Sequence, residues 1–156
     1  MTCKRQQGKP FGSPSEAALP DFRVKEALPF STVGVDFAGP LFVKSPTGEM
    51  VKSYIALFTC CVTRAVTLDL VKDLTASTFV RCLRRFAARR GTPSLIISDD
   101  AKTFKASEKL LRRLHEKQEV REHLESNRID WKFNLERAPW WGGFLERLIG
   151  TAKRCL

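Results

Sequence analysis

The chain has 156 residues, 43% of them hydrophobic, with 27 Lys and Arg against 17 Asp and Glu and a formal net charge of +10. That length supports one domain with a real core and excludes two full ones. Eleven Phe and three Trp exclude disorder for most of the chain, the longest apolar stretch (Tyr54 to Val62) is too short to span a bilayer, and the positive excess favours a polyanionic partner.

Residues 1–28 hold Pro10, Pro14 and Pro20 beside Gly8, Gly12, Ser13 and Ser15, with Pro29 at their end. Such a stretch reads as a linker or extended arm, and order is expected from residue 29. The apolar run Phe30 to Phe37, closed by Gly39-Pro40, predicts a strand and its stop. Ser45-Pro46-Thr47-Gly48 is turn chemistry. Lys52 to Cys61 and Ala65 to Val71 are two β-rich runs separated by a few residues, which predicts a hairpin and an antiparallel meander of three strands.

Asp73-Leu74-Thr75 supplies N-cap candidates for a helix of about four turns. Phe79, Val80, Leu83 and Phe86 recur on one side of it, while Arg84, Arg85, Arg89 and Arg90 form an expected solvated face. Gly91 and Pro93 end it. Ser94 to Ser98 is a short, wholly apolar strand, and the strand–helix–strand order predicts a parallel pair. Lys105 to Ser126 reads as one or two charged helices buried through Leu110, Leu111, Leu114, Val120 and Leu124. A fifth strand is expected over Ile129 to Asn134, with Ile129, Trp131 and Phe133 on one face, and a last helix over Phe144 to Leu156. The fold class is therefore α/β, a mixed five-stranded sheet flanked by helices.

Five Cys, an odd number in a chain opened by no secretory signal, predict a reducing intracellular compartment, nucleus or cytoplasm. Cys60, Cys61 and Cys82 read as packing residues. His115 and His123, about two turns apart on a polar helix, make a poor metal pair.

Three acids stand out by position: Asp36 inside the first strand, Asp99 directly after the fourth, and Glu146 in the first turn of the last helix. Asp36 alone is equally explained as a strand-end residue capping a loop, and Asp99 alone is a weaker signal still, since strand ends often carry Asp. Together they acquire a chemistry, because strands one and four of a β-β-β-α-β-α-β-α domain can lie side by side and set Asp36 next to Asp99. Clustered carboxylates raise one another's pKa unless a cation neutralises them. Oxygen donors without His or Cys select Mg²⁺ or Mn²⁺ over Zn²⁺. Two such ions about 3.5–4 Å apart form the clamp used for in-line phosphoryl transfer.

The segments Val33-Gly34-Val35-Asp36-Phe37-Ala38-Gly39-Pro40, Ser98-Asp99-Asp100-Ala101-Lys102-Thr103-Phe104 and Ala138-Pro139-Trp140-Trp141-Gly142-Gly143-Phe144-Leu145-Glu146-Arg147-Leu148 resemble the integrase of BEL/Pao-type retrotransposons. Val51-Lys52-Ser53-Tyr54, Thr63-Arg64-Ala65-Val66 and Ile129-Asp130-Trp131-Lys132-Phe133-Asn134 fit the same family, so the resemblance covers residues 29–156. It implies an RNase H-like catalytic core in which Asp36 bridges two Mg²⁺ or Mn²⁺ ions while Asp99 and Glu146 each hold one. The implied activity is that of a polynucleotidyl transferase, which trims DNA 3′ ends and joins them to target DNA by transesterification. The implied partners are element and target DNA and further copies of the chain, with no membrane. The implied phosphate contacts are Lys153, seven residues after Glu146 on one helix face, with Arg147, Arg154 and the loop residue Lys102.

The chain departs from the family at Asp99-Asp100-Ala101, where Asp-Asn-Gly is usual, and at Leu145, where Trp is common. Asp100 is the rival ligand to Asp99. Met1 to Pro10 resembles the tail of the family's His-His-Cys-Cys zinc domain with Cys3 as its last ligand; the other three are missing, so no zinc is expected. Family cores continue with more helices, so residues 29–156 read as a core cut short at its C-terminus. The alternatives are an inactive, DNA-binding remnant and an RNase H-like nuclease that cuts without joining.

Overall fold

The computed structural model describes residues 21–98, 105–133, 147, 148, 150, 151 and 154. A single helical turn, α1 (Asp21–Val24), stands in the stretch expected to be extended. Then come β1 (Thr32–Lys44), β2 (Met50–Cys60), β3 (Val66–Val71), α2 (Ala76–Arg90), β4 (Leu95–Ser98), α3 (Lys105–Glu116), α4 (Gln118–Ser126) and β5 (Asp130–Phe133). The five strands form one sheet in the order β3-β2-β1-β4-β5. β1 pairs antiparallel with β2, and β2 with β3, as their short connections dictate. The helical connections carry the chain back to the starting edge, so β4 runs parallel to β1 and β5 parallel to β4.

Side chains alternate across the sheet. One face presents Val33, Val35, Phe37, Ala56, Phe58 and Ile96, and it is covered by Phe79, Leu83 and Phe86 of α2, Leu111 and Leu114 of α3, and Val120 and Leu124 of α4. Phe58 stacks on Phe86 with centroids 4.4 Å apart, and Phe37 meets Phe79 edge-on at 6.1 Å. This core is the main store of stability, since each such side chain contributes about 1.5–3 kcal/mol on burial.

β1 does not stop at Gly39-Pro40 as the sequence suggests. The register shifts between Ala38 and Leu41, and pairing resumes from Leu41 with Ser53 to Lys44 with Met50. Pro40 has no N–H for the ladder, and the bulge takes up that loss. Gly39 is required there: its φ is +126°, and a Cβ would lie 3.1 Å from the Tyr54 ring and 3.2 Å from the Ser53 carbonyl oxygen.

α2 is set by its ends. Thr75 is the N-cap and accepts from the Thr78 amide, while the Gly91 amide donates to the Ala87 carbonyl at 2.9 Å. The Asp73 carboxylate accepts from the Thr75 amide at 3.1 Å and the Thr75 hydroxyl at 2.6 Å. The hydroxyls of Thr75 and Thr78 hold the Asp73 carboxyl down at about 2 from its ordinary 3.8.

The arginines of α2 are not a uniform solvated face. Arg85 reaches β3 and donates Nε to Asp69 Oδ2 at 2.8 Å, with a second guanidinium nitrogen also 2.8 Å away. The buried Cys82 thiol donates to the same oxygen at 3.3 Å, and burial above all, then the Asp69 charge, pushes it up to about 12. Arg84 and Arg89 are exposed, and Arg90 lies over the Phe30 ring, 5.4 Å from its centroid.

The charged segment after β4 splits into two helices at Lys117, whose extended backbone (φ −71°, ψ 131°) starts α4. His115 and His123 therefore sit on different helices, and His115 is no member of a polar face. It packs edge-on to Trp131 and Phe133 at 5.4 and 5.6 Å. Trp131 donates its indole N–H to the buried Ser98 hydroxyl at 2.8 Å, which ties β5 to the last residue of β4.

Two outcomes follow from these contacts. Trp131→Phe and Ser98→Ala each strand one buried polar partner, so urea titration should show each losing about 1–3 kcal/mol. The double variant should lose less than the sum. Asp73 binds its proton less readily folded than unfolded, so its contribution is present above about pH 4 and is lost as pH falls toward 2. Asp73→Asn should flatten the fall of the urea midpoint over that interval.

Candidate active site

β1 is the middle strand of the sheet, and Asp36 lies within it between Val35 and Phe37, which are 2% and 6% exposed. Those neighbours face the helices, so alternation turns Asp36 to the opposite face, where it is half-buried. There its register partner on β2 is Leu57. The parallel pairing of β1 with β4 runs Thr32–Leu95, Val33–Ile96, Gly34–Ile97, Val35–Ser98. The last matched residues, Val35 and Ser98, are those that directly precede Asp36 and Asp99 in the chain. Asp36 therefore stands at the C-terminal end of the parallel pair, the end at which open α/β sheets bind ligands.

The same face carries a small second cluster. Ile97 of β4 and Cys61 are buried together, and Leu95 and Leu148 pack against them. Residues 147, 148, 150, 151 and 154 are helical, with the Thr151 hydroxyl donating to the Arg147 carbonyl at 2.9 Å. Leu148 thus holds this C-terminal helical segment on the face of the sheet that Asp36 occupies. Arg147 and Arg154 are exposed there, and Arg154 donates to the Thr151 hydroxyl at 3.3 Å.

Of the expected site residues, the structure describes Asp36, Arg147 and Arg154. Asp99, Asp100, Lys102, Glu146 and Lys153 lie outside the described residues, as does Cys3. Among the described residues, no group of three His, Cys, Asp or Glu converges as a metal site. Asp36 brings a hard oxygen donor suited to Mg²⁺ or Mn²⁺. The pairings of Ser98 with Trp131 and of Leu148 with Ile97 are not legible in the sequence, since each joins residues far apart in the chain. Leu148 was visible there as an apolar residue at helical spacing, but nothing in the pattern identified its partner.

Cys60, Cys61 and Cys82 are free and buried. Burial raises the Cys60 thiol, but the hydroxyl and amide of Thr63 and the amides of Phe30 and Val62 outweigh it and leave the thiol below its ordinary value. Cys60 thereby satisfies the Phe30 amide at 3.1 Å, where φ is +62°.

No protein-family model matches the chain, and no curated protein matches it significantly. Solved structures do match. The chain is similar to the simian T-cell lymphotropic virus intasome in complex with PP2A regulatory subunit B56 gamma, with a TM-score of 0.57 and 18% identity over 88% of this chain and 44% of that one. It is also similar to the HTLV-2 integrase catalytic core domain in complex with magnesium. The dimeric form gives a TM-score of 0.56 at 17% identity over 81% of this chain and 70% of that one. The trimeric form gives 0.56 at 18% over 83% and 71%. The fold is RNase H-like, that of integrase catalytic cores. The chain spans under half the length of the intasome chain that it matches.

Replacing Leu148 by Asp should release the C-terminal helical segment from Ile97. Limited trypsin digestion, followed by mass spectrometry, should then show cleavage after Arg147 at a concentration that leaves the parent chain intact there.

Proposed function

We propose that this chain is the catalytic core of a DNA integrase of the BEL/Pao retrotransposon type. The observation that carries the reading is that β1, β4 and the C-terminal helical segment share one face of the sheet. Asp36 directly follows the last β1 residue paired with β4, the β1–β4 register runs to the residue before Asp99, and Leu148, two residues beyond Glu146, packs onto β4. The reading extends that register by one residue and takes Asp36, Asp99 and Glu146 as the ligands of two Mg²⁺ or Mn²⁺ ions. Residues 1–28 are then a remnant of the zinc domain joined to a core over residues 29–156.

The donor set fits such ions, being wholly carboxylate. When bound, the metal pair supplies charge neutralisation for an in-line displacement at phosphorus. The protein's share is positional. β1 holds Asp36, the Trp131–Ser98 bond fixes the last residue of the strand that precedes Asp99 in the chain, and the Leu148 contact fixes the helical residues that follow Glu146. Lys102, Arg147, Lys153 and Arg154 take the phosphates of element and target DNA, which positions the duplex without reading its bases. The attacking 3′-hydroxyl gives up its proton and forms a new P–O bond as the target strand's P–O3′ bond breaks and that 3′ oxygen takes up a proton, so bond count is conserved and no covalent protein intermediate forms. Magnesium in the HTLV-2 core, and its dimeric and trimeric forms, support a divalent cofactor and a homo-oligomer here.

The test is a strand-transfer assay on donor DNA ends with Mg²⁺ or Mn²⁺. Asp36→Asn, Asp99→Asn and Glu146→Gln should each cut joining by at least about 100-fold, the scale of a lost metal ligand, while Asp100→Asn is tolerated. Full activity in Asp99→Asn would move the site to Asp100. Cutting without joining would make the chain a nuclease, and binding with neither would leave a non-catalytic DNA-binding domain.

A further inference from the structure

β1 and β2 outrun the sheet. β4 pairs with β1 only from Thr32 to Val35, and β3 pairs with β2 only from Tyr54 to Thr59. The remainder, Leu41–Lys44 paired with Met50–Ser53, is a two-stranded ribbon with no strand on either outer edge among the described residues. Its turn is closed by the Gly48 amide on the Ser45 carbonyl at 2.9 Å and the Ser45 amide on the Glu49 carbonyl at 2.8 Å. Phe42 and Met50 are 59% and 61% exposed, and Val43 and Val51 39% and 45%. Lys44 and Lys52 are exposed as well. An isolated hairpin is only marginally stable in water, so a ribbon this apolar marks a surface that something covers.

The register decides what. Phe42 lies opposite Lys52, and Met50 opposite Lys44, so one face of the ribbon carries two cations interleaved with two large apolar side chains. A second copy brought against that face would set lysine against lysine, and edge lysines also resist strand addition. A polyanion is attracted by the same charges, and the chain carries +10 overall. Two strands about 4.8 Å apart fit the B-DNA major groove, which is about 12 Å wide. Along β2 the partner of Phe42 lies five residues from Leu57, the partner of Asp36, which is about 17 Å, and alternation sets Phe42, Lys44, Met50 and Lys52 on the side of the sheet opposite to Asp36, so this contact is separate from the one at Asp36.

We propose that the 41–53 ribbon is a second DNA-contact element, with Lys44 and Lys52 on backbone phosphates and Phe42 and Met50 against the groove. This rests on the DNA-joining reading above and names a contact which that reading does not contain. The experiment measures fluorescence anisotropy of a labelled duplex of about 30 base pairs with the full chain, in EDTA, over about 50–200 mM salt. Each phosphate contact contributes about 0.9 to the slope of log affinity against log salt. Lys44→Gln/Lys52→Gln should therefore flatten the slope by about 2 and weaken binding about tenfold at the low-salt end. Phe42→Ser/Met50→Ser should weaken binding several-fold and leave the slope intact. All four side chains are exposed, and an unchanged circular dichroism spectrum confirms the fold.

Parent-like slope and affinity in the lysine variant would overturn the proposal. So would loss of self-association in sedimentation with DNA binding unchanged, which would make the ribbon an interface between copies. Asp36→Asn separates the two readings, because it should cut joining while Lys44→Gln/Lys52→Gln still flattens the salt slope in its background. A parent chain that joins DNA while the lysine variant binds normally sinks the ribbon alone. A parent chain that binds no duplex sinks both.

Discussion

A carboxylate in the middle strand of a buried sheet is the constraint on which the rest of this structure depends. Val35 and Phe37 are nearly inaccessible, and their burial under α2 fixes the rotation of β1. Rotation fixed, Asp36 must emerge on the other face. A register slip of one residue would trade it into the core, at the cost of burying a charge among phenylalanines. Packing on one side of the sheet thus decides the chemistry available on the other.

The two faces are built differently. The helix-covered face carries a continuous aromatic and aliphatic core with Phe58, Phe79 and Phe86 at its centre. Among the described residues, the Asp36 face carries only small clusters: Ala38, Ile55 and Leu57 with Leu41, and Cys61 and Ile97 with Leu95 and Leu148. The supporting bonds come from the thick side. Trp131 spans from α2 and α3 to Ser98, where its ring lies 5.3 Å from Phe79 and 5.4 Å from His115.

Polar contacts do specific local work. Asp69, Arg85 and Cys82 join β3 to α2 at one carboxylate oxygen. Arg85 is partly exposed, so water screens this pair and its value lies in orientation more than energy. Cys60 offers its sulfur to the Phe30 and Thr63 amides, so a residue that reads as packing in sequence also closes the turn after β2.

By itself the sequence determined the element order, the meander followed by parallel strands, the capped α2 and the apolar face of β5. These follow from local pattern: period-two and helical spacing, Gly and Pro stops, and Asp and Thr at a helix start. The same local reasoning placed Asp36 in a strand and so singled it out. It failed where a distant partner overrides a local signal. Gly39-Pro40 reads as a stop, but β2 continues the ladder past it through a bulge. Arg85 reads as solvated until β3 brings Asp69 beneath it, and His115 reads as polar until β5 brings Trp131 and Phe133 to it. Only tertiary structure decided the register in which β1 and β4 pair, that Leu148 lies on the face of Asp36, and that Trp131 holds Ser98. Each joins residues more than thirty positions apart, and such pairings arise from chain closure and packing, to which no local spacing is sensitive.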